Sequence, residues 1–161
     1  MKFSEMTYTR PDPAASKQRL SALTAELKAA KSYEEARKVF LSQQELMSHI
    51  STAATLASIR HSIDTRDTFY DAEEKFWNSF FPELEEYNQA WTAAMLESPF
   101  RADFEKEYGD LMFVNAEIAL KTFSPAIIPE LQQENDLTQE YEKLLASAQI
   151  PFEGKVYTLS Q

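Results

Sequence analysis

The two histidines of the chain, His49 and His61, are where a metal centre or a general base would have to start. A catalytic zinc needs three protein ligands, and zinc peptidases supply two of them through H-E-x-x-H on one helix. His49 is followed by Ile50-Ser51-Thr52 and His61 by Ser62-Ile63-Asp64, so neither opens that motif. A di-iron bundle needs Glu-x-x-His pairs, whereas Leu46 and Ser58 stand three residues before the two histidines. The stretch Asp64 to Glu74 has some of the carboxylate rhythm of a calcium loop. Phe69, however, stands where that loop needs glycine for its sharp turn, and Arg66 replaces a carboxylate. Serines are plentiful, so residue types alone leave a Ser-His-Asp triad open, but nothing resembles a nucleophile elbow. Gly109 and Gly154 are the two glycines, too few for a phosphate-cradling loop. No catalytic, cofactor-binding or metal-ligating residue is assigned. Both histidines are expected as hydrogen-bonded members of a helix bundle.

The elements around them read as almost wholly helical. Scarce glycine disfavours a fold rich in tight turns. Asp12 before Pro13 is a capped helix start, and Leu20, Leu23 and Leu27 hold one face as far as Lys31. Ser32 and Glu35 form a capping box. The seam Ala36, Phe40, Gln43, Met47, Ile50, Ala54, Ala57 and His61 then runs on to Ile63, with a small-residue stretch from Ser48 to Ser58 that admits a close neighbour. Phe69, Phe76, Phe80, Leu84, Tyr87, Trp91 and Ala94 keep one phase across Pro82, which predicts a single helix from about Asp67 to Glu97, kinked at the proline. Core packing is the expected role of these aromatics and of Tyr70, Trp77 and Phe81. Ser98-Pro99 and Ser124-Pro125 read as helix starts, Gly109 separates a short helix from one ending near Phe123, and Asp136 with Gln139 reads as the start of a helix to about Ala148. Ile150, Phe152, Val156, Tyr157 and Leu159 around Glu153-Gly154-Lys155 change to a strand period. The fold class is therefore all-α: an elongated bundle of long antiparallel helices with a short β-hairpin at the C-terminus. Residues 1–149 form a helical lobe and residues 150–161 begin the hairpin.

The net charge is −10, concentrated in residues 64–117, which hold fourteen acidic and four basic side chains. No Lys/Arg stripe exists to bind nucleic acid, and no apolar run reaches membrane-span length. The absence of cysteine suits a reducing compartment, and the expected location is the cytoplasm.

Several segments resemble, in order, the start of an oligoendopeptidase F. They are Phe3-Ser4-Glu5-Met6 with Arg10-Pro11-Asp12, Ala57 through Asp67, Tyr70-Asp71-Ala72-Glu73, Phe123-Ser124-Pro125, Glu134-Asn135-Asp136-Leu137 and Tyr141-Glu142-Lys143-Leu144. The ending Phe152 through Gln161 is similar to the hairpin that opens the central region of that family. The family is similar to the thimet-oligopeptidase zinc metallopeptidases, which cut short peptides with an H-E-x-x-H helix and a downstream glutamate; the motif's own glutamate activates the zinc-bound water. The resemblance implies a helical N-terminal lobe forming one wall of a deep channel that admits short, unfolded peptides. It places the zinc and the catalytic residues of the parent enzyme beyond Gln161, in a remaining catalytic region that would be this lobe's partner. On that reading the chain is a truncated fragment; the alternative is a stand-alone helical protein-interaction module without enzymatic activity.

A helix from Ser32 to Ile63 is about 48 Å long, longer than the diameter of about 40 Å of a compact chain of this size. An elongated lobe leaves aromatic surface and a strand edge open, and both are adhesive. Self-association of the isolated chain as a symmetric dimer is expected, strengthening as salt screens the acidic residues 64–117. Sedimentation across protein and salt concentrations checks this; a monomer under every condition contradicts it.

Overall fold

The computed structural model describes residues 3–122 and 124–159, the side chain of Ser4 excepted. After a 3-10 turn at Phe3–Glu5 come α1 (Pro13–Ala29), α2 (Tyr33–Ile63), α3 (Thr68–Leu96), α4 (Arg101–Tyr108) and α5 (Leu111–Thr122). A second 3-10 turn at Pro125–Ile127 leads into α6 (Ile128–Ser147), and β1 (Ile150–Phe152) and β2 (Lys155–Tyr157) close the chain. No single helix among the described residues is long and apolar enough to cross a membrane; only α5 and α6 taken together, across a bend, reach that length and hydropathy.

Caps set the boundaries. The Asp12 carboxylate accepts from the Ala15 amide at 2.7 Å and Pro13 starts α1. Ser32 Oγ accepts from the Glu35 amide at 3.2 Å, but the Glu35 carboxylate reaches the Lys31 amide, not that of Ser32, so the expected box closes one residue upstream. Asp67 caps α3 by accepting from Phe69 and Tyr70. Two expected starts are corrected. Ser98 Oγ accepts from the Phe100 amide to make a turn, and α4 begins only at Arg101. The helix placed at Asp136 is already running from Ile128, because Ser124 caps the turn at Pro125 and Pro129 is tolerated in the first helical turn. Phe123, the expected end of α5, lies outside the described residues, as do Ser160 and Gln161 of the expected hairpin segment. Glu153 and Gly154 have φ of 48° and 77°, the left-handed pair a tight two-residue hairpin demands, and Ile150 pairs with Tyr157, Phe152 with Lys155.

α1, α2 and α3 pack on one another around two apolar clusters set end to end. One joins Leu23, Leu27, Phe40, Trp91, Met95, Phe104 and Phe113; the other joins Leu20, Ile50, Ala54, Ala57, Trp77, Phe80 and Leu84. The pairing of Phe40 with Trp91 and of Ile50 with Phe80 shows that α2 and α3 run antiparallel. Along the α2 seam every expected residue is buried except Met47, which is half-buried. His49 is exposed, so its expected place in the core is corrected: it lies one residue out of phase with Ile50. The small-residue stretch divides similarly, with Ala53, Ala54 and Ala57 buried and Ser51, Thr55 and Ser58 open. On α3 the buried row is Glu73, Trp77, Phe80, Leu84, Trp91 and Ala94. Phe69 is 54% and Phe81 39% exposed, which corrects the expectation that all the aromatics fill the core.

α3 is a continuous helix through Pro82. Proline has no amide to return to the carbonyl four residues back, so the Asn78 oxygen loses its helical donor. Asn135 Nδ2 of α6 donates to that oxygen at 3.1 Å, and Gln132 Nε2 donates to the neighbouring Ser79 carbonyl at 3.0 Å. α6 is thereby docked on the gap the proline makes. Asn135→Ala is expected to cost about 1–2 kcal/mol by leaving that carbonyl without a donor. The cost should shrink to a few tenths in a Pro82→Ala background, where the restored amide supplies the bond. Chemical denaturation of the four proteins of this cycle measures the coupling; equal costs in both backgrounds contradict it.

Candidate functional site

The segment joining α2 to α3 gathers polar groups from four parts of the chain. Glu73 lies on the buried face of α3, one turn before Trp77, and is 3% exposed. A carboxylate there requires compensation, and the chain ahead of α1 supplies it. Arg10 Nε donates to Glu73 Oε2 at 2.8 Å and its Nη2 to Oε1, making a forked pair. The Tyr8 hydroxyl also donates to Glu73, and Trp77 Nε1 donates to the Tyr8 oxygen at 3.2 Å. The Arg10 guanidinium lies 4.3 Å from the Phe76 ring centre. Arg10 holds the Glu73 carboxyl below the usual range, against the opposing effect of burial. Burial, then the bond to Glu73, pushes the Tyr8 hydroxyl up to about 12. Arg60 of α2 completes the tie by donating to the Met6 carbonyl and, at 2.7 Å, to the Tyr70 hydroxyl.

The second half of the site lies between α2, α3 and α6. His61 is 2% exposed, and its Nε2 stands 3.7 Å from Asp71 Oδ1 without a hydrogen bond. Asp71 is held from other directions by Lys143, by Lys75 at 3.2 Å and by Gln139 Nε2 at 3.5 Å. Lys143 chiefly draws the Asp71 carboxyl below its ordinary value. The bundle position expected for His61 is therefore observed, but the expected hydrogen bond is not. A histidine beside a carboxylate has the types of a general-base pair, yet this ring is out of solvent and its carboxylate is bound to a lysine. Next to it a small cavity of about 160 Å³ is lined by Ser58, Ser62, Glu74, Asn78, Asn135, Thr138, Gln139 and Glu142. Burial pushes the Glu74 carboxyl up, and its Oε2 makes no hydrogen bond. No group of three or more His, Asp or Glu among the described residues could hold a metal ion.

Several of the segments that carry the resemblance contribute here: Met6 and Arg10, Arg60 and His61, Tyr70 to Glu73, and Asn135 and Lys143 of α6. A family model, that of the Peptidase M3 N-terminal domain, matches residues 3–123. The chain belongs to the M3 peptidase N-terminal domain family. Solved structures agree with that assignment along its whole length. A protein described as an oligoendopeptidase F superposes with a TM-score of 0.96 at 40% identity, over 100% of this chain and 28% of that one. PZ peptidase A, solved with an inhibitor, gives 0.95 at 39% identity over 99% and 28%. A protein described as an oligoendopeptidase F from Bacillus anthracis str. Ames gives 0.96 at 38% over 100% and 30%. No curated protein sequence matches. This M3 N-terminal domain thus spans under a third of the length of these solved relatives.

Sequence periodicity did not single out Glu73, Asn135 or Gln139. The available signal for Glu73 was its place in the row Glu73, Trp77, Phe80, Leu84, where a carboxylate on an apolar face calls for a cation. Its partner Arg10 lies 63 residues away, beyond the reach of any local rule.

Glu74 allows a test of the electrostatics. Its raised folded-state pKa means that the folded domain binds the proton more tightly than the unfolded chain. Its charge therefore lowers stability as pH rises from the ordinary carboxylate value through the folded one. Glu74→Gln is expected to melt about 2 °C above the parent at neutral pH, and to lose that advantage near pH 4. Circular dichroism melts at the two pH values decide it; a variant less stable at neutral pH contradicts the assignment.

Proposed function

We propose that this M3 N-terminal domain serves as the helical N-terminal lobe of an oligoendopeptidase F-like zinc peptidase acting on short peptides. It forms one wall of the peptide channel and contributes no catalytic residue. One observation carries the reading: the whole chain superposes on 28% of an oligoendopeptidase F at 40% identity. Its own side chains do not fit the zinc of such an enzyme. His49 is exposed on α2, His61 is buried against Asp71, and among the described residues neither belongs to a group of three or more possible ligands. In this reading the metal, the activated water and the catalytic glutamate belong to the remaining catalytic region, and the lobe shapes access to them.

The experiment replaces the matching N-terminal segment of the 40%-identical oligoendopeptidase F by this chain. The chimera is expected to cleave a quenched fluorescent peptide of about eight residues and to hold about one zinc. The isolated chain, loaded and desalted alongside, is expected to show neither. Zinc-dependent cleavage by the isolated chain overturns the reading, and so does a folded, zinc-bound chimera that leaves the peptide intact. The second outcome favours the stand-alone interaction module.

A further inference from the structure

Gln43 interrupts the apolar seam of α2 between Phe40 and Met47, yet it is only 5% exposed. Its Oε1 accepts from Gln44 Nε2 at 2.7 Å, and its own Nε2 donates to no described residue. Trp91 of α3 is 6% exposed. The Trp77 indole donates to Tyr8, whereas the Trp91 indole donates to no described residue. Unpaired N–H groups on side chains this buried call for an acceptor from elsewhere. Neither is sealed in the core, so each is reached from the pocket that both side chains line.

That pocket, of about 360 Å³, opens between α2, α3 and α5. α5 packs on α3, and its Ala116 and Ala119 are too small to fill the space towards Met47 of α2. Phe40, Met95, Met112 and Phe113 supply apolar walls, and the exposed amides of Gln44 and Asn115 stand at the mouth. No ionisable side chain lines it, in a chain of net charge −10. Apolar walls around a few convergent polar groups are the makings of a ligand site, and the volume falls within the usual range.

We infer that this pocket binds an apolar residue held within an uncharged stretch of peptide. The inference goes beyond the reading under Proposed function and does not rest on it. Three features select the occupant. The apolar walls take the side chain. The N–H groups of Gln43 and Trp91 take the carbonyls of the flanking peptide bonds, which a hydrocarbon lacks. A free amino or carboxyl terminus would lose its water without gaining a counter-charge, so the bound residue is an internal one.

The chain has two tryptophans, so its two indole N–H resonances report on two places, and Trp77→Phe assigns them. The probe is N-acetylphenylalaninamide, whose two amide carbonyls flank one apolar side chain. Titrated into the ¹⁵N-labelled chain, it is expected to move the Trp91 signal saturably, with a Kd of about 1 mM, and to leave the Trp77 signal in place. Zwitterionic phenylalanine, with the same ring, is expected to bind at least about tenfold more weakly. Gln43→Leu is expected to weaken the amide probe about fivefold but to leave the binding of toluene, which accepts no hydrogen bond, undiminished. A Trp91 signal unmoved by the probe at about 20 mM overturns the proposal. Equal affinities for the amide and the zwitterion overturn it too, and both comparisons use the parent chain, so they stand even if Gln43→Leu fails to fold. A folded Gln43→Leu chain that holds the amide as tightly as the parent, or loses toluene equally, also overturns it. Movement of the Trp91 signal on raising the chain's own concentration, with no probe present, gives the pocket to a second copy and overturns the proposal.

Discussion

Pro82 sits inside the helix on which α1, α2, α5 and α6 all pack. Its missing amide leaves the Asn78 carbonyl without its helical donor in the middle of the bundle, and an unpaired carbonyl there costs as much as a lost hydrogen bond. The chain meets this with a side-chain amide from α6, 57 residues later. Pro82 is itself buried, on a different side of the helix from Phe80 and Leu84. One residue thus fills the core while creating the polar gap that fixes where α6 docks. Once α6 is held there, Gln139 and Lys143 fall one and two turns on, opposite Asp71.

A second buried polar group fixes the other side of α3. Glu73 would be intolerable in that apolar row without Arg10, and Arg10 with Tyr8 reaches it only if the chain ahead of α1 lies across the α2–α3 corner. Arg60 ties the same strap to α2 through the Met6 carbonyl. Paired charges of this kind add little net stability against an apolar equivalent, but losing one partner is costly. They therefore specify the position of the strap more than they strengthen the fold.

The domain is consequently asymmetric. The α1–α2–α3 side buries its apolar residues in two clusters in series, as any bundle does. The α6 side uses polar contacts inward and presents leucine, tyrosine and phenylalanine outward.

Helix existence was legible because caps and apolar spacing are local: Asp12-Pro13, Ser32 and Asp67 each set a start within one turn, and the phase held from Phe80 to Trp91 correctly argued for one helix across Pro82. The hairpin was legible because Glu153-Gly154 can adopt the two left-handed conformations its turn needs. The family was legible from ordered segments, several of which contribute residues to one corner. Other features belonged to tertiary structure alone. Phe69 satisfied the helical spacing yet faced solvent, because which part of an apolar face is buried depends on the neighbour. Asp136 had the sequence of a cap, but α6 was already running from Ile128 under a start set at Ser124. The pairings of Glu73 with Arg10 and of the Asn78 carbonyl with Asn135 join residues 63 and 57 positions apart. Local periodicity cannot contain such pairs, because they exist only after the helices have packed.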